Sequence, residues 1–279
     1  MKIKENVDLS KFTTFKMGGI AKKMYIPENE DELIDIISKV KSDFCLGGGS
    51  NLIINQRIFD NVINLKEFNS KIVSNGDGSF TVGASVRLQK LILSVNNAGY
   101  GGIEYLFSVP GLVGGAIVMN AGRGEIYKQS ISDYVKSVKV LYGGTTFWLN
   151  KEECNFTYRN SKFRDSDYII LAVRFCFEKI EPNRAKKLRE ERITLCKKVQ
   201  DNSFPNFGSV FCVSNPKIMK IVMKSFLGKC GNIYFSRKTP NWILNKNGKY
   251  KDVKKLIHRV EIMHKLIGSQ YRVEVKMLE

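Results

Sequence analysis

The chain has 279 residues, 43% of them hydrophobic, and carries 45 Lys and Arg against 27 Asp and Glu, a net charge of +18. That length can bury two or three modest cores, and no tract is low in complexity. The longest apolar runs, such as Tyr168-Ile169-Ile170-Leu171-Ala172-Val173, are the size of a strand, and Met1-Lys2-Ile3-Lys4-Glu5-Asn6 lacks the apolar stretch of a signal peptide, so the expectation is a soluble, cytoplasmic protein.

Cys45, Cys154, Cys176, Cys196, Cys212 and Cys230 form no C-x-x-C pair and mostly sit among apolar neighbours. They are read as reduced thiols packed in cores, with no disulfide frame and no metal site. His258 and His264 stand six apart in one expected helix, a poor spacing for shared ligation.

In chain order, T-T-F-K-M-G-G at 13–19 leads to a strand near 23–26. Asn29-Glu30-Asp31-Glu32 has the form of a capping box ahead of Leu33, Ile34, Ile36, Ile37 and Val40, which recur at helical spacing. The short apolar strand Phe44-Cys45-Leu46 runs into G-G-G-S-N at 47–51, and a second one, Leu52-Ile53-Ile54, follows. Strands near 71–75 and 79–83 and a helix over 86–97, stopped by Gly99, precede P-G-L-V-G-G-A at 110–116 and N-A-G at 120–122. Strands at 134–142 and 145–149 flank a Gly143-Gly144 hairpin turn, and an apolar strand at 168–177 closes this part.

Glu181-Pro182-Asn183 marks a boundary. Beyond it come a charged helix at 185–199, a turn-rich stretch, a helix near 216–226, strands near 231–235 and 241–245, and a turn at Asn247-Gly248. Asp252 is expected to cap a last helix with the apolar stripe Val253, Leu256, Ile257, Val260, Met263 and Ile267, both histidines lying off the stripe and in solvent. In the final strand Tyr271, Val273, Val275 and Met277 alternate with Arg272, Glu274 and Lys276, so Glu274 faces either water or a site.

Residues 1–181 carry 23 basic against 20 acidic side chains (+3), and residues 182–279 carry 22 against 7 (+15). An anionic partner follows, whether nucleic acid, a nucleotide sugar or a phosphorylated cofactor; a lysine-rich solvated surface is the competing reading. The lysines are scattered singly and form no helix-turn-helix, RNP or zinc-finger pattern.

The two glycine clusters carry the chemistry. Three consecutive glycines present backbone N–H groups without Cβ interference, and Ser50 and Asn51 add side-chain donors, a combination that cradles phosphate oxygens. Small residues at the start of the second segment let a diphosphate sit on the positive end of a helix. Neither cluster has Rossmann or P-loop spacing, which disfavours an ordinary dinucleotide fold or ATPase.

Together with G-x-E-Y-L-x-x-V-P-G-x-V-G-G-A at 102–116, F-x-Y-R-x-S-x-F at 156–163 and P-N-F-G-S-V-F at 205–211, these segments follow one another in an order that resembles the UDP-N-acetylenolpyruvoylglucosamine reductase family over nearly the whole chain. The resemblance is to the shorter form of the family. It implies an α+β protein: a vanillyl-alcohol-oxidase-type FAD-binding module of two α/β domains (1–66 and 67–181) and a C-terminal α+β substrate-binding domain (182–279). It implies reduction of the enolpyruvyl ether of UDP-N-acetylglucosamine to UDP-N-acetylmuramate, in peptidoglycan synthesis, with FAD and NADPH as cofactors. The partners expected are this nucleotide sugar, no nucleic acid and no membrane, for a monomer.

Residue by residue, the resemblance assigns FAD contacts to Gly47, Gly48, Gly49, Ser50, Asn51, Leu52, Pro110, Gly111, Val113, Gly114, Gly115, Ala116, Asn120, Ala121 and Gly122. Arg159 matches the arginine that binds the substrate carboxylate, Ser209 the proton donor, and Glu274 the glutamate that stabilises or protonates the intermediate. Tyr158 and Asn215 are expected at the substrate. The C-terminal part departs from the pattern: Cys212-Val213-Ser214-Asn215-Pro216 lacks a lysine, and Thr239 stands where a histidine is usual.

Overall fold

The helix expected after Asn29 is α1 (Glu30–Lys39), and its start is set by local chemistry. Asn29 Oδ1 accepts from the Glu32 amide at 2.9 Å, while the Glu32 carboxylate reaches back past Asn29 to the Glu28 amide at 2.9 Å. One amide of the first turn, that of Glu32, and one just ahead of the cap, that of Glu28, are thereby satisfied. Leu33 and Ile36 turn inward onto Tyr25, Ile63, Leu141 and Leu171.

The computed structural model describes residues 1–124 and 127–279. The chain divides into two units, neither of them continuous. The first comprises Met1–Lys4, Lys23–Gly48 and Asp60–Lys197, the second Glu5–Lys22, Gly49–Phe59 and Lys198–Glu279.

In the first unit a five-stranded antiparallel sheet runs in the order Thr145–Asn150, Val135–Tyr142, Ile169–Cys176, Ser79–Gly83, Ile72–Ser74. Gly143 and Gly144, with φ of 57° and 79°, make the tight hairpin the sequence called for, in the left-handed conformation that matches strand twist. One sheet face meets α2 (Leu88–Asn97) and α3 (Val113–Val118), whose Leu88, Leu91, Ile92, Val95, Val113 and Ile117 join Val138, Val173 and Phe175 in one core. Separately, Phe44–Leu46 runs parallel to Val62–Asn64 and leads directly into the first glycine loop. Helix α4 (Pro182–Val199) lies in this unit as far as Lys197 and buries only Ala185 and Cys196.

The second unit packs α5 (Pro216–Lys224) and α6 (Tyr250–Leu266) with a small sheet of Lys229–Cys230, Ile233–Phe235 and Ile243–Asn245. Phe15 and Met17 of T-T-F-K-M-G-G are core residues here, beside Phe207, Phe211, Val222 and Leu256. Burial of each such side chain stabilises the unit by about 1.5–3 kcal/mol.

Three expectations for this unit are corrected. Helix α6 starts at Tyr250 with Lys249 as N-cap and no side-chain cap, so Asp252 is an acidic residue of the first turn rather than the cap. His264 is not solvated: it is fully buried, one helical turn on from Val260, and takes the place in the stripe that Ile267 was given. Its Nδ1–H donates to the Val260 carbonyl at 2.8 Å and its Nε2 accepts from the Asn215 amide at 2.8 Å, which satisfies both ring nitrogens and makes burial affordable. Ile267 lies beyond the helix end and is 60% exposed. His258 is exposed, as expected, beside Glu261.

The single final strand is two. Arg272–Val273 pairs antiparallel with Phe211–Val213, and Lys276–Leu278 pairs parallel with Leu52–Ile54. Glu274 and Val275 are the crossing point between the two pairings. The cysteines are all free, but only Cys154 and Cys196 are buried; Cys45 is exposed and the other three are intermediate. Among the described residues, no helix is long and apolar enough to cross a membrane.

Candidate active site

The two glycine segments meet within the first unit. A Cβ on Gly48 would stand 3.2 Å from Leu112 Cγ and 3.6 Å from Gly111 Cα, so the loops approach as closely as glycine allows. A Cβ on Gly47 or on Gly115 would meet nothing within 4 Å. Backbone on both loops therefore borders open space, which fits a large group laid along main-chain N–H donors. The start of α3 contributes less than the sequence implies. The Val113 amide donates to Val86 O and the Gly114 amide to Ala84 O, both at 2.8 Å, and the Val113 side chain is wholly buried. Among the residues assigned to FAD, the exposed Pro110 and Gly115 and the half-buried Gly47, Gly48 and Gly111 remain at the surface of the cradle.

The loop carrying Arg159 is laced to the end of the second glycine segment. Asn120 Nδ2 donates to Thr157 O at 2.9 Å, Ser161 Oγ to Val118 O at 2.8 Å, and Arg159 Nη2 to Gly122 O at 2.8 Å. Phe156 and Phe163 anchor the motif on either side in edge-to-face contact. Arg159 itself is held at φ 54°, a conformation uncommon for a long side chain and one that surrounding bonds must impose. Its guanidinium lies 5.9 Å from the Tyr158 ring, so the two expected substrate contacts are neighbours. Asn120 and Ala121 are buried, and Asn120 Oδ1 accepts from the Ser132 amide at 3.3 Å, so its side chain braces the loop.

In the second unit the chain brings Ser209, Glu274 and Asn51 together. The Glu274 amide donates to Val210 O at 2.7 Å, placing Glu274 beside the residue that follows Ser209. Asn51 Nδ2 donates to Glu274 O at 3.3 Å, and the Lys276 amide to Asn51 O at 3.1 Å. Leu52 opens the strand that pairs with Lys276. Ser209 follows a tight turn in which Gly208, at φ 84°, donates its amide to Asn206 Oδ1 at 3.2 Å. It then bridges to Trp242. Ser209 and Glu274 are both half-buried.

Two supporting residues escaped the sequence reading. Thr14 donates its amide to Gly49 O at 3.1 Å and its hydroxyl to Ser50 O at 3.4 Å, and Gly49, at φ 63°, lies so close to Phe12 O that a Cβ could not fit. The segment T-T-F-K-M-G-G thus props the glycine loop. Asn241, at φ 65°, accepts from the Phe211 amide at 3.0 Å and donates to Phe211 O at 2.6 Å, acting as a side-chain strand that fixes the chain just after Ser209. The dipeptide Pro240-Asn241 was a legible signal, since it is the central pair of a type II turn.

Asn215 stands apart from Ser209, at the other end of the strand Phe211–Val213. It caps α5, accepting from the Lys217 amide at 2.9 Å, and donates to Ser269 Oγ at 3.3 Å. Thr239 is buried, with its hydroxyl on Val199 O at 2.7 Å.

Residues 21–149 match the model of an FAD binding domain. The chain is 30% identical to the UDP-N-acetylenolpyruvoylglucosamine reductase of Thermotoga sp. (strain RQ2), over 96% of this chain and 89% of that one. It is 32% identical to the enzyme of that name from Prochlorococcus marinus subsp. pastoris, over 91% and 89%. The chain belongs to the UDP-N-acetylenolpyruvoylglucosamine reductase family. The solved MurB of Thermus caldophilus superposes with a TM-score of 0.81 at 25% identity, covering 100% of both chains. Family membership makes this chain an FAD-dependent oxidoreductase of peptidoglycan precursor synthesis that uses NADPH, with the mixed α/β FAD-binding fold of the vanillyl-alcohol-oxidase type.

Proposed function

We propose that Arg159, Ser209 and Glu274 divide the work of reducing UDP-N-acetylglucosamine enolpyruvate to UDP-N-acetylmuramate, in the cytoplasm and as a monomer. Bound FAD supplies the hydride, taken from NADPH, to the methylene carbon of the enolpyruvyl ether. Negative charge then builds on the adjacent carbon and its carboxylate, where some charge already stands. Arg159 meets that carboxylate with its planar fork, and the anchor at Gly122 O fixes where the fork stands. Tyr158 lines the same place.

The adjacent carbon must next receive a proton, and Ser209 Oγ gives it. A hydroxyl is a weak acid in water, so its use demands a strongly basic acceptor and a fixed position. The Asn206–Gly208 turn and the Asn241 clamp on Phe211 provide that position. Glu274, in its neutral form, steadies the developing charge as its partner. The observation that carries this reading is the bracketing of the Glu274 main chain by Val210 and Asn51, which ties the proposed acid, the proposed carboxyl and the glycine loop into one piece of backbone.

The basic charge of residues 182–279 is assigned here to the substrate diphosphate. Purified protein should be yellow, and its NADPH oxidation should depend on UDP-N-acetylglucosamine enolpyruvate. Flavin binding without turnover of that compound would point to a flavoprotein with another substrate. Tight, steeply salt-dependent oligonucleotide binding without flavin would overturn the reading in favour of a nucleic-acid binder.

A further inference from the structure

Between Asp201 and Asp252 the chain contains no Asp or Glu, but nine Lys and Arg. A substrate diphosphate needs few of them, so much of this charge is left to face another anion. Helix α5 concentrates it. Lys217, Lys220, Ile221 and Lys224 stand three or four apart and share one face of the helix, while Ile218, Met219 and Val222 on the opposite face are buried. The three lysines are exposed, and among the described residues none of their ammonium groups stands in an ion pair.

The outward face is not simply polar. Ile221, between the lysines, is 54% exposed, and Phe226, two residues past Lys224 in the turn that follows the helix, is 85% exposed. At the other end Asn215, the N-cap, is bonded to His264 and Ser269, so the end of α6 lies beside the start of α5. There Leu266 is 79% exposed, next to the exposed Lys265 and Ile267. Nine residues of helix span about 13 Å. A short row of lysines thus runs between apolar side chains at both ends.

A single exposed Leu is ordinary, but a phenyl ring in water at the end of a cationic, acid-free helix face fits a partner that is negative at its surface and apolar a few ångströms below. That is the cross-section of an anionic phospholipid layer. Nucleic acid offers the charge without the apolar depth. Lysine suits the layer too: point charges on long stems answer a diffuse field, whereas bidentate phosphate recognition calls for arginine, which α5 lacks.

We propose that the outer face of α5 docks on an anionic phospholipid surface, with Lys217, Lys220 and Lys224 at the level of the headgroups and Ile221 and Phe226 entering the acyl boundary. The contact is peripheral, since among the described residues no helix is long and apolar enough to cross a membrane. It narrows the expectation of no membrane partner to the absence of a spanning segment. The roles of Arg159, Ser209 and Glu274 do not enter it, because none of them lies on α5.

The test is co-sedimentation of the FAD-loaded protein with vesicles of phosphatidylcholine alone and of phosphatidylcholine mixed in equal parts with phosphatidylglycerol. The parent should sediment with the mixed vesicles and stay in solution with phosphatidylcholine. Lys217→Gln, Lys220→Gln and Lys224→Gln together should weaken that binding roughly 100-fold, about fivefold for each lysine. Phe226→Ser should weaken it about tenfold, with NADPH oxidation in the presence of UDP-N-acetylglucosamine enolpyruvate as in the parent. Both variants should melt with the parent. A parent that ignores the mixed vesicles overturns the proposal, as does a triple variant that binds them equally well. Loss in the lysine variant with no change in Phe226→Ser reduces the face to general basic attraction and also overturns it. Retention of the parent by an oligonucleotide but not by vesicles, lost with the lysines and indifferent to Phe226, gives the face to nucleic acid and overturns it as well.

Discussion

The side-chain amide of Asn51 donates to the main-chain carbonyl of Glu274 at 3.3 Å, across 223 residues of sequence. The bond joins the first glycine loop to the last strand at the point where that strand changes partners. Since the Glu274 amide is held by Val210 O, both main-chain groups of the residue are fixed, and its side chain has little freedom in where it starts. Asn51→Ala should therefore do more than weaken a cofactor contact. We expect a loss of about 1 kcal/mol in stability from the missing bond, together with slower reoxidation of reduced flavin by substrate. Unchanged reoxidation in flavin-saturated Asn51→Ala would show that Glu274 does not depend on this tether.

Arg159→Lys tests the fork. A lysine ammonium supplies charge but not two parallel donors, and the left-handed backbone at this position disfavours any adjustment. Activity with the enolpyruvyl substrate, as kcat/KM, should fall by roughly 10- to 100-fold, the scale of one or two charge-assisted bonds. A value within twofold of the parent would remove Arg159 from the substrate.

Asn241 supports Ser209 in two ways, by its side-chain bonds to Phe211 and by accepting φ 65°. Replacing it separates them. Asn241→Gly retains the conformation and loses the bonds, and Asn241→Ala loses both, so alanine should destabilise by about 1 kcal/mol more than glycine. Chemical denaturation of the two variants measures the difference. Equal stability would mean that the turn is not strained.

Asp201 links the second unit to acid. Burial works to raise its carboxyl, but hydrogen bonds from Ser203 and Ser236 and the charge of Lys238 outweigh it, and the net effect is a lowered folded-state value. A lowered value means stability that is present above the unfolded carboxylate pKa, about 3.9, and is lost as pH falls through the folded one. Asp201→Asn should flatten the acid limb of a stability profile measured from pH 6 to pH 2. A limb as steep as the parent's would assign acid sensitivity to other carboxylates.

Much of the architecture was written in local chemistry. The Asn29 cap, the Gly143-Gly144 hairpin and the stop at Gly99 each depend on residues within a turn of one another, and each stands where the sequence placed it, as does the apolar stripe of α6 from Val253 to Met263 but not at Ile267. What escaped depends on distant partners. The burial of His264 requires the Asn215 amide, 49 residues away, to meet its second nitrogen. The division of the last strand at Glu274 requires Leu52–Ile54 to pair with its second half. The same holds at the site. Motif order pointed to Ser209 and Glu274, but the props Thr14 and Asn241 are visible only once long-range bonds are drawn, and helix start 113–116 proved to have two amides already engaged by Ala84 and Val86.

The most direct test separates the two halves of the catalytic cycle in Ser209→Ala. Under anaerobic conditions, reduction of bound flavin by NADPH is followed first, and reoxidation by UDP-N-acetylglucosamine enolpyruvate second, each from the flavin absorbance. Only the second half needs a proton from the protein at carbon, so the first rate should match the parent and the second should fall by about 10²- to 10⁴-fold, the range for loss of a positioned acid. Equal slowing of both halves, or a second rate that equals the parent's, would contradict the assignment of Ser209 as the proton donor.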